Sequence, residues 1–170
     1  SAGANTVNFD WLSQSDIPAA NGIYCLRLTV HDATDDQLVQ ATTSLYIDNS
    51  APQAPGNLSV DYAGGIEVRL AYGLPGSDDN FSEYKIFYKA DGPGVDEFDQ
   101  AWTVNDDSSL GQEDFGPATT TTVTGLAQNR DYYFNIWIYD SYGNKASAAV
   151  EAATTTLLLP SASWREFEND

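Results

Sequence analysis

The sequence predicts an all-β protein built around a two-sheet β-sandwich. Three observations carry that expectation. Apolar residues alternate with period two, and helical spacing is nearly absent. The alternating stretches are short and bounded by Gly, Asn, Asp and Pro. Beyond a proline-rich joint near residue 52, seven such stretches follow one another. That is the strand number of a sandwich of roughly 100 residues.

The stretches before the joint are Val7–Trp11, Tyr24–Val30 and Leu38–Ile47. The second is entered through the turn pair Asn21-Gly22. Its period puts Tyr24, Leu26, Leu28 and Val30 on one face and Cys25, Arg27 and Thr29 on the other. The joint, residues 50–55, carries Pro52 and Pro55, which cannot donate to a ladder and favour an extended connection. The later strands are predicted at Asn57–Asp61, Ile66–Tyr72, Glu83–Lys89, Trp102–Val104, Thr119–Thr124, Tyr132–Tyr139 and Ala146–Thr154. Ile66, Val68, Leu70 and Tyr72 share one face in the second, and Tyr84, Ile86 and Tyr88 point inward in the third. Tyr132, Phe134, Ile136 and Ile138 do so in the sixth. The domains read as a partial β module over residues 1–49, a linker over 50–55, the sandwich over 56–156 and a tail over 157–170. The tail opens with Leu157-Leu158-Leu159, which are expected to pack on a domain edge.

Several pieces of the larger part resemble a fibronectin type III domain, a member of the immunoglobulin-like sandwiches. Ala54-Pro55-Gly56-Asn57-Leu58-Ser59-Val60 resembles its proline-led first strand. Tyr72 stands where the family usually places a tryptophan. Tyr84-Lys85-Ile86-Phe87-Tyr88 resembles the third-strand pattern. Leu126 followed by Tyr132 resembles the leucine and tyrosine-corner pair, and Asp140-Ser141-Tyr142-Gly143-Asn144 the last hairpin turn. Gln128 replaces the usual proline in between. The first fifty residues resemble the back half of a bacterial immunoglobulin-like repeat, through Trp11, Asn21–Asp32 and the Asp48-Asn49-Ser50-Ala51-Pro52 exit. Three strands leave an apolar face in need of cover. Docking on the sandwich, strands from a second chain, and excision from a longer protein are the three explanations.

The 170 residues are 42% hydrophobic and only 19% charged, yet carry a net charge of −18, with 25 acidic against 7 basic side chains. Such a surface offers no counter-charge to nucleic acid or to an anionic membrane. No apolar run is long enough to span a bilayer. One cysteine, Cys25, permits no internal disulfide. Catalytic candidates reduce to His31 and Cys25, neither with a partner that the spacing places beside it, so no enzyme is expected.

Calcium is the cofactor the composition suggests. Asp outnumbers Glu by 18 to 7, and loops of Asp and Asn supply the oxygens a hard cation takes. The candidate ligands are Asp32, Asp35 and Asp36, the joint pair Asp48 and Asn49, then Asp78 and Asp79, and Asp106 and Asp107. The competing reading is turn-forming Asp without any ion. A second candidate surface is aromatic. Alternation turns Tyr133, Trp137 and Tyr139 outward beside Phe87, with Trp102 positioned to join them. Such a patch suits a neighbouring domain or subunit, a protein ligand or a stacked sugar ring. The sequence thus suggests a non-catalytic extracellular spacer from a bacterial surface or secreted protein. Alternatives are an adhesion module, a filament subunit assembled by strand exchange, and an accessory domain of a secreted hydrolase.

Overall fold

The computed structural model describes residues 8–31, 34–35 and 38–160. The chain divides after Ala51 into two units, each taken by itself below.

The N-terminal unit is a β-hairpin preceded by one helical turn. The turn α1 spans Ser13–Asp16; strand β1 spans Asn21–Leu28 and pairs antiparallel with β2, Ala41–Asp48. The strand expected at residues 7–11 is absent over its described part, 8–11. The Trp11 indole N–H instead donates to the Asp16 carboxylate at 2.7 Å, which ties the segment to the α1 turn. Tyr24 and Leu26 lie on the half-buried face, opposite Leu45 and Thr43, while Cys25 is exposed. Phe9, Trp11, Leu26, Leu28 and Ala41 line a cavity of 390 Å³. Phe9 remains 70% exposed there, so the hairpin's apolar side is only partly covered. Asn49 closes the unit: its N–H donates to Ala20 O at 2.7 Å and its side-chain amide to Ile17 O at 2.9 Å.

The C-terminal unit is an all-β sandwich of two antiparallel sheets. The smaller contains β3 (Ser59–Ala63), β4 (Glu67–Ala71) and β7 (Thr120–Thr124), in the order β3-β4-β7. The larger is built on β5 (Phe81–Ala90), β6 (Gln100–Trp102) and β8 (Asp131–Asp140). Beside β8 lie β9 (Lys145–Ser147) and β10 (Ala152–Thr155), the order being β10-β8-β5-β6 with β9 also on β8. Val68, Leu70 and Val123 from one sheet meet Tyr84, Ile86, Phe134, Ile136 and Ile138 from the other in one core. Each of these is essentially sealed from water, and burying such a side chain is worth about 1.5–3 kcal/mol.

Two loop residues complete the core. Leu110, in the 3₁₀ turn Ser108–Gly111, is buried, and so is Phe115. Phe115 stacks on Tyr72 at 4.1 Å between ring centroids and meets Tyr84 at 4.5 Å. The tyrosine corner forms as the sequence implies: the Tyr132 hydroxyl accepts the Ala127 N–H at 2.9 Å.

One expected strand is split. Ala146–Thr154 is not continuous, because after Ala148, whose N–H still donates to Ile136 O at 2.9 Å, residues 149–151 leave the β8 ladder between β9 and β10. There Ala148 turns into the core and the Val150 N–H donates to Asn57 Oδ1 at 3.0 Å. The leucines after β10 follow the β3–β4 turn: Leu157 N–H bonds Gly64 O, and a Cβ at Gly65 would fall 2.4 Å from Leu159 Cγ.

Candidate functional site

The outer face of the larger sheet collects most of the unusual chemistry. Alternation along β5 and β8 turns Lys85, Phe87 and Lys89 to this side, opposite Trp137, Asn135 and Tyr133 respectively. Tyr139 joins them and faces Lys145 of β9. Phe87 and Trp137 meet edge to face at 5.8 Å. The Lys85 ammonium lies 4.8 Å from the Tyr139 ring centroid and that of Lys145 5.6 Å from the Trp137 ring, both within cation–π range. These three residues, Lys85, Lys89 and Lys145, are all the lysines of the chain.

The placement of Trp102 corrects the expectation. Ala101 stands opposite Phe87, so Ala101 takes the outer side and Trp102 the inner one, beside Ile86. Trp102 packs against the core and donates its indole N–H to Thr121 Oγ1 at 3.0 Å. A strand three residues long, re-entering after a long loop, has its register set by that loop, and one residue of slip exchanges the faces.

The aromatic face is also less open than alternation implies. Residues 91–99, which connect β5 to β6, fold back across it as a strap. Its backbone is fixed by Glu151, whose carboxylate accepts the N–H groups of Gly94 at 3.0 Å and Val95 at 2.6 Å. Lys89 donates to Gly94 O at 2.5 Å and lies 3.7 Å from the Asp99 carboxylate. Glu97 pairs with Lys145 and accepts from the Tyr139 hydroxyl at 3.4 Å. Val95 and Phe87 are buried, Trp137 and Tyr139 half-buried. The Trp137 indole N–H is buried without a hydrogen-bond partner. Burial first, then the charge and hydrogen bond of Glu97, push the Tyr139 hydroxyl up to about 12. Beside the strap, Tyr133, Asn135, Ser147, Pro93, Gly94 and Glu151 line an open groove of 590 Å³.

The sequence did not single out Glu97, Glu151 or Lys145. The signal available was the lysine distribution itself, since every lysine falls on an outward position of β5 or β9.

Most of the described acidic candidates are engaged in turns. Asp48, Asp78 and Asp107 each accept, through Oδ1, the backbone N–H two residues on, at 2.8–3.0 Å. Asp106 accepts from the Thr103 N–H and hydroxyl. Burial opposes ionisation of Asp107, but hydrogen bonds from Thr121, Ser109 and Tyr72 outweigh it and hold the carboxyl below its usual range. Asp35 and Asp79 are exposed, and Asp32 and Asp36 lie outside the described residues. The Asn49 side chain is committed to Ile17 and Ser13. Within the sandwich, the carboxylate oxygens of Asp78 and Asp140 approach within 4.8 Å. Asp140, only 4% exposed, already accepts from the Tyr142 and Asn144 N–H groups at 2.8 Å each. Two carboxylates could contribute to a divalent-cation site, although calcium takes six to eight oxygens.

No protein-family model matches the chain, and no curated protein does. Among solved structures, the FN1–FN3 domains of chicken CNTN1 superpose with a TM-score of 0.57 at 17% identity, over 84% of this chain and 46% of that one. The third fibronectin III domain of human KIAA0343 protein superposes at 0.48 and 15% identity, over 68% of this chain and 90% of that one. Identity this low speaks for architecture alone. The sandwich has the fibronectin type III fold, an immunoglobulin-like arrangement of two antiparallel sheets.

Proposed function

We propose that the chain is a non-catalytic spacer of a multidomain extracellular protein, a rigid sandwich that holds neighbouring modules apart. The observation that carries this reading is the path of the backbone through the sandwich. Gln53 and Gly56 bond to Ser77 and Leu74 at one pole, where β5 begins and β8 ends. Leu157 bonds to Gly64 and Thr156 to Arg130 at the other pole, where β3 ends and β8 begins. Tension applied to the chain therefore runs the length of the sandwich. It loads the ladder of β10 on β8 and that of β3 on β4 together, so that resistance is shared among many hydrogen bonds.

Calcium belongs to this reading at the first pole, where Asp78 and Asp140 sit in adjacent turns. Binding to the native state alone would raise its stability. Placement outside the cell and a bacterial source rest on the resemblance of residues 1–52 to a surface repeat.

The test is single-molecule stretching of the whole chain held at both termini, with and without millimolar calcium. Expected is one cooperative step for the sandwich, releasing roughly 30–35 nm of contour from some 100 residues at ~3.5 Å each, at a force that calcium raises. Gradual lengthening without a step would refute the spacer reading. A step indifferent to calcium would remove the ion and keep the spacer.

A further inference from the structure

The strap and the face beneath it have complementary chemistry, and nothing in a spacer requires this. The chain carries 25 acidic and 7 basic side chains, and its three lysines are gathered on one sheet face around Phe87, Trp137 and Tyr139. The segment lying on them reads Val95-Asp96-Glu97-Phe98-Asp99. Of these residues, Val95 is buried against the sandwich, Glu97 pairs with Lys145 and Asp99 with Lys89. The strap is thus bound as an acidic peptide would be, apolar residue down and carboxylates on two of the lysines, Lys89 and Lys145. Beyond the hold of Glu151 and Lys89 on its backbone at Gly94 and Val95, its side-chain grip is weak by construction. The lysine side chains are 30–39% exposed, and ion pairs that water reaches hold little. Phe98 points away, 91% exposed at the strap's tip, and contributes no anchor. The closed arrangement also leaves the Trp137 indole N–H buried and unpaired, a cost that any occupant offering an acceptor would remove.

We propose that the outer face of the β8–β5 sheet is a docking surface for an acidic, apolar-containing peptide segment of another protein, and that residues 91–99 are an intramolecular stand-in which such a segment displaces. Charge complementarity selects this occupant: Lys89 and Lys145 flank an aromatic floor and meet the carboxylates of an occupant that is itself acidic, while Lys85, paired with Glu83 on its own strand at 3.0 Å, adds a third ammonium at the edge. The inference goes beyond the spacer reading, and its test does not depend on it.

The probe is a capped synthetic peptide with the sequence of residues 92–100, added to the ¹⁵N-labelled full chain. The reporter is the Trp137 indole N–H resonance, assigned by its loss in Trp137→Phe. The tethered strap competes at an effective concentration in the millimolar range, so the native chain should bind weakly. The double variant E97Q/D99N loosens the strap and leaves the lysines intact. It should bind the peptide at least ten-fold more tightly, with the Trp137 indole resonance shifting as the peptide seats over the ring. Adding K85Q, K89Q and K145Q should abolish binding, as should replacing every Asp and Glu of the peptide by its amide. Equal affinity of native chain and double variant would overturn the proposal. So would binding of the uncharged peptide, or a Trp137 response to oligosaccharides and none to the peptide. Should the double variant fail to fold by circular dichroism, the native chain decides the matter. Millimolar peptide must then move the Trp137 resonance in a salt-sensitive way, and its failure to do so refutes the proposal.

Discussion

Replacing Phe115 by alanine and, separately, by glycine should reverse the usual ranking of those two residues. Phe115 is 3% exposed, stacks on Tyr72 and touches Tyr84, so its ring is a full member of the core. Truncating a buried phenylalanine typically costs about 3–5 kcal/mol, from lost transfer energy and the cavity left behind. Yet its backbone sits at φ 59°, in the left-handed region. A residue with a Cβ is held there at a cost of about 1–2 kcal/mol, which glycine escapes. Glycine's greater freedom in the unfolded chain returns roughly 0.5–1 kcal/mol of that gain. F115G should therefore be more stable than F115A by about 0.5–1 kcal/mol. At about 4 °C per kcal/mol, F115A should melt some 12–20 °C below the native sandwich and F115G a few degrees above F115A. Urea unfolding followed by near-ultraviolet circular dichroism checks both numbers. An F115A cost under about 1 kcal/mol would show that the ring is not core. F115G falling below F115A would refute the backbone argument, whatever the cavity costs.

Two further perturbations test the frame. Y132F removes the hydroxyl that accepts the Ala127 N–H and should cost about 1–2 kcal/mol, seen as a lower urea midpoint at unchanged slope. An unchanged midpoint would mean water replaces the corner bond at no cost. Alkaline pH acts through Tyr84 and Tyr139, both pushed up to about 12. Burial is the first cause in each, followed by the carboxylates of Glu113 and Asp114 for Tyr84 and of Glu97 for Tyr139. Both hold their protons more tightly folded than unfolded. Their contribution should be intact below about pH 10, where an unfolded tyrosine begins to titrate, and lost as pH rises toward 12. Ultraviolet titration should show Tyr84 and Tyr139 ionising last, with Tyr72 and Tyr88, which burial also pushes up, later than the exposed tyrosines. Ionisation of all ten near pH 10 in a chain still folded would refute it.

The alternation of β5 and β8 was legible because long strands repeat their pattern. Five or more residues at period two leave one way to face the core, and Tyr84, Ile86, Phe134, Ile136 and Ile138 took it. The corner at Tyr132 was legible because its two partners are close in sequence. What failed was non-local. Trp102 changed sides because its register is inherited from residues 91–99. Phe115 sits in Glu113-Asp114-Phe115-Gly116, which reads as a turn with no periodicity to mark a core residue. The break at residues 149–151 depends on Asn57, some ninety positions earlier. Trp11 read as a strand because it alternates with polar neighbours, but an indole that finds Asp16 five residues on needs a turn between them.

The same distinction separates two kinds of acidic residue that composition alone merges into one charge of −18. Asp78, Asp96, Asp107, Asp114 and Asp140 each accept the N–H two residues ahead, so their carboxylates shape the loop in which they stand. Such a bond is local and forms with the loop itself, and a cation would have to share these oxygens with the backbone. Glu97, Asp99 and Glu151 have partners on other elements: Lys145, Lys89 and the strap's own amides. Those bonds join parts that can separate without unfolding a strand. An acidic loop of the first kind is spent on structure. The second kind leaves Lys89 and Lys145 with partners that can be exchanged, beside an indole that has none, and this favours recognition under the strap.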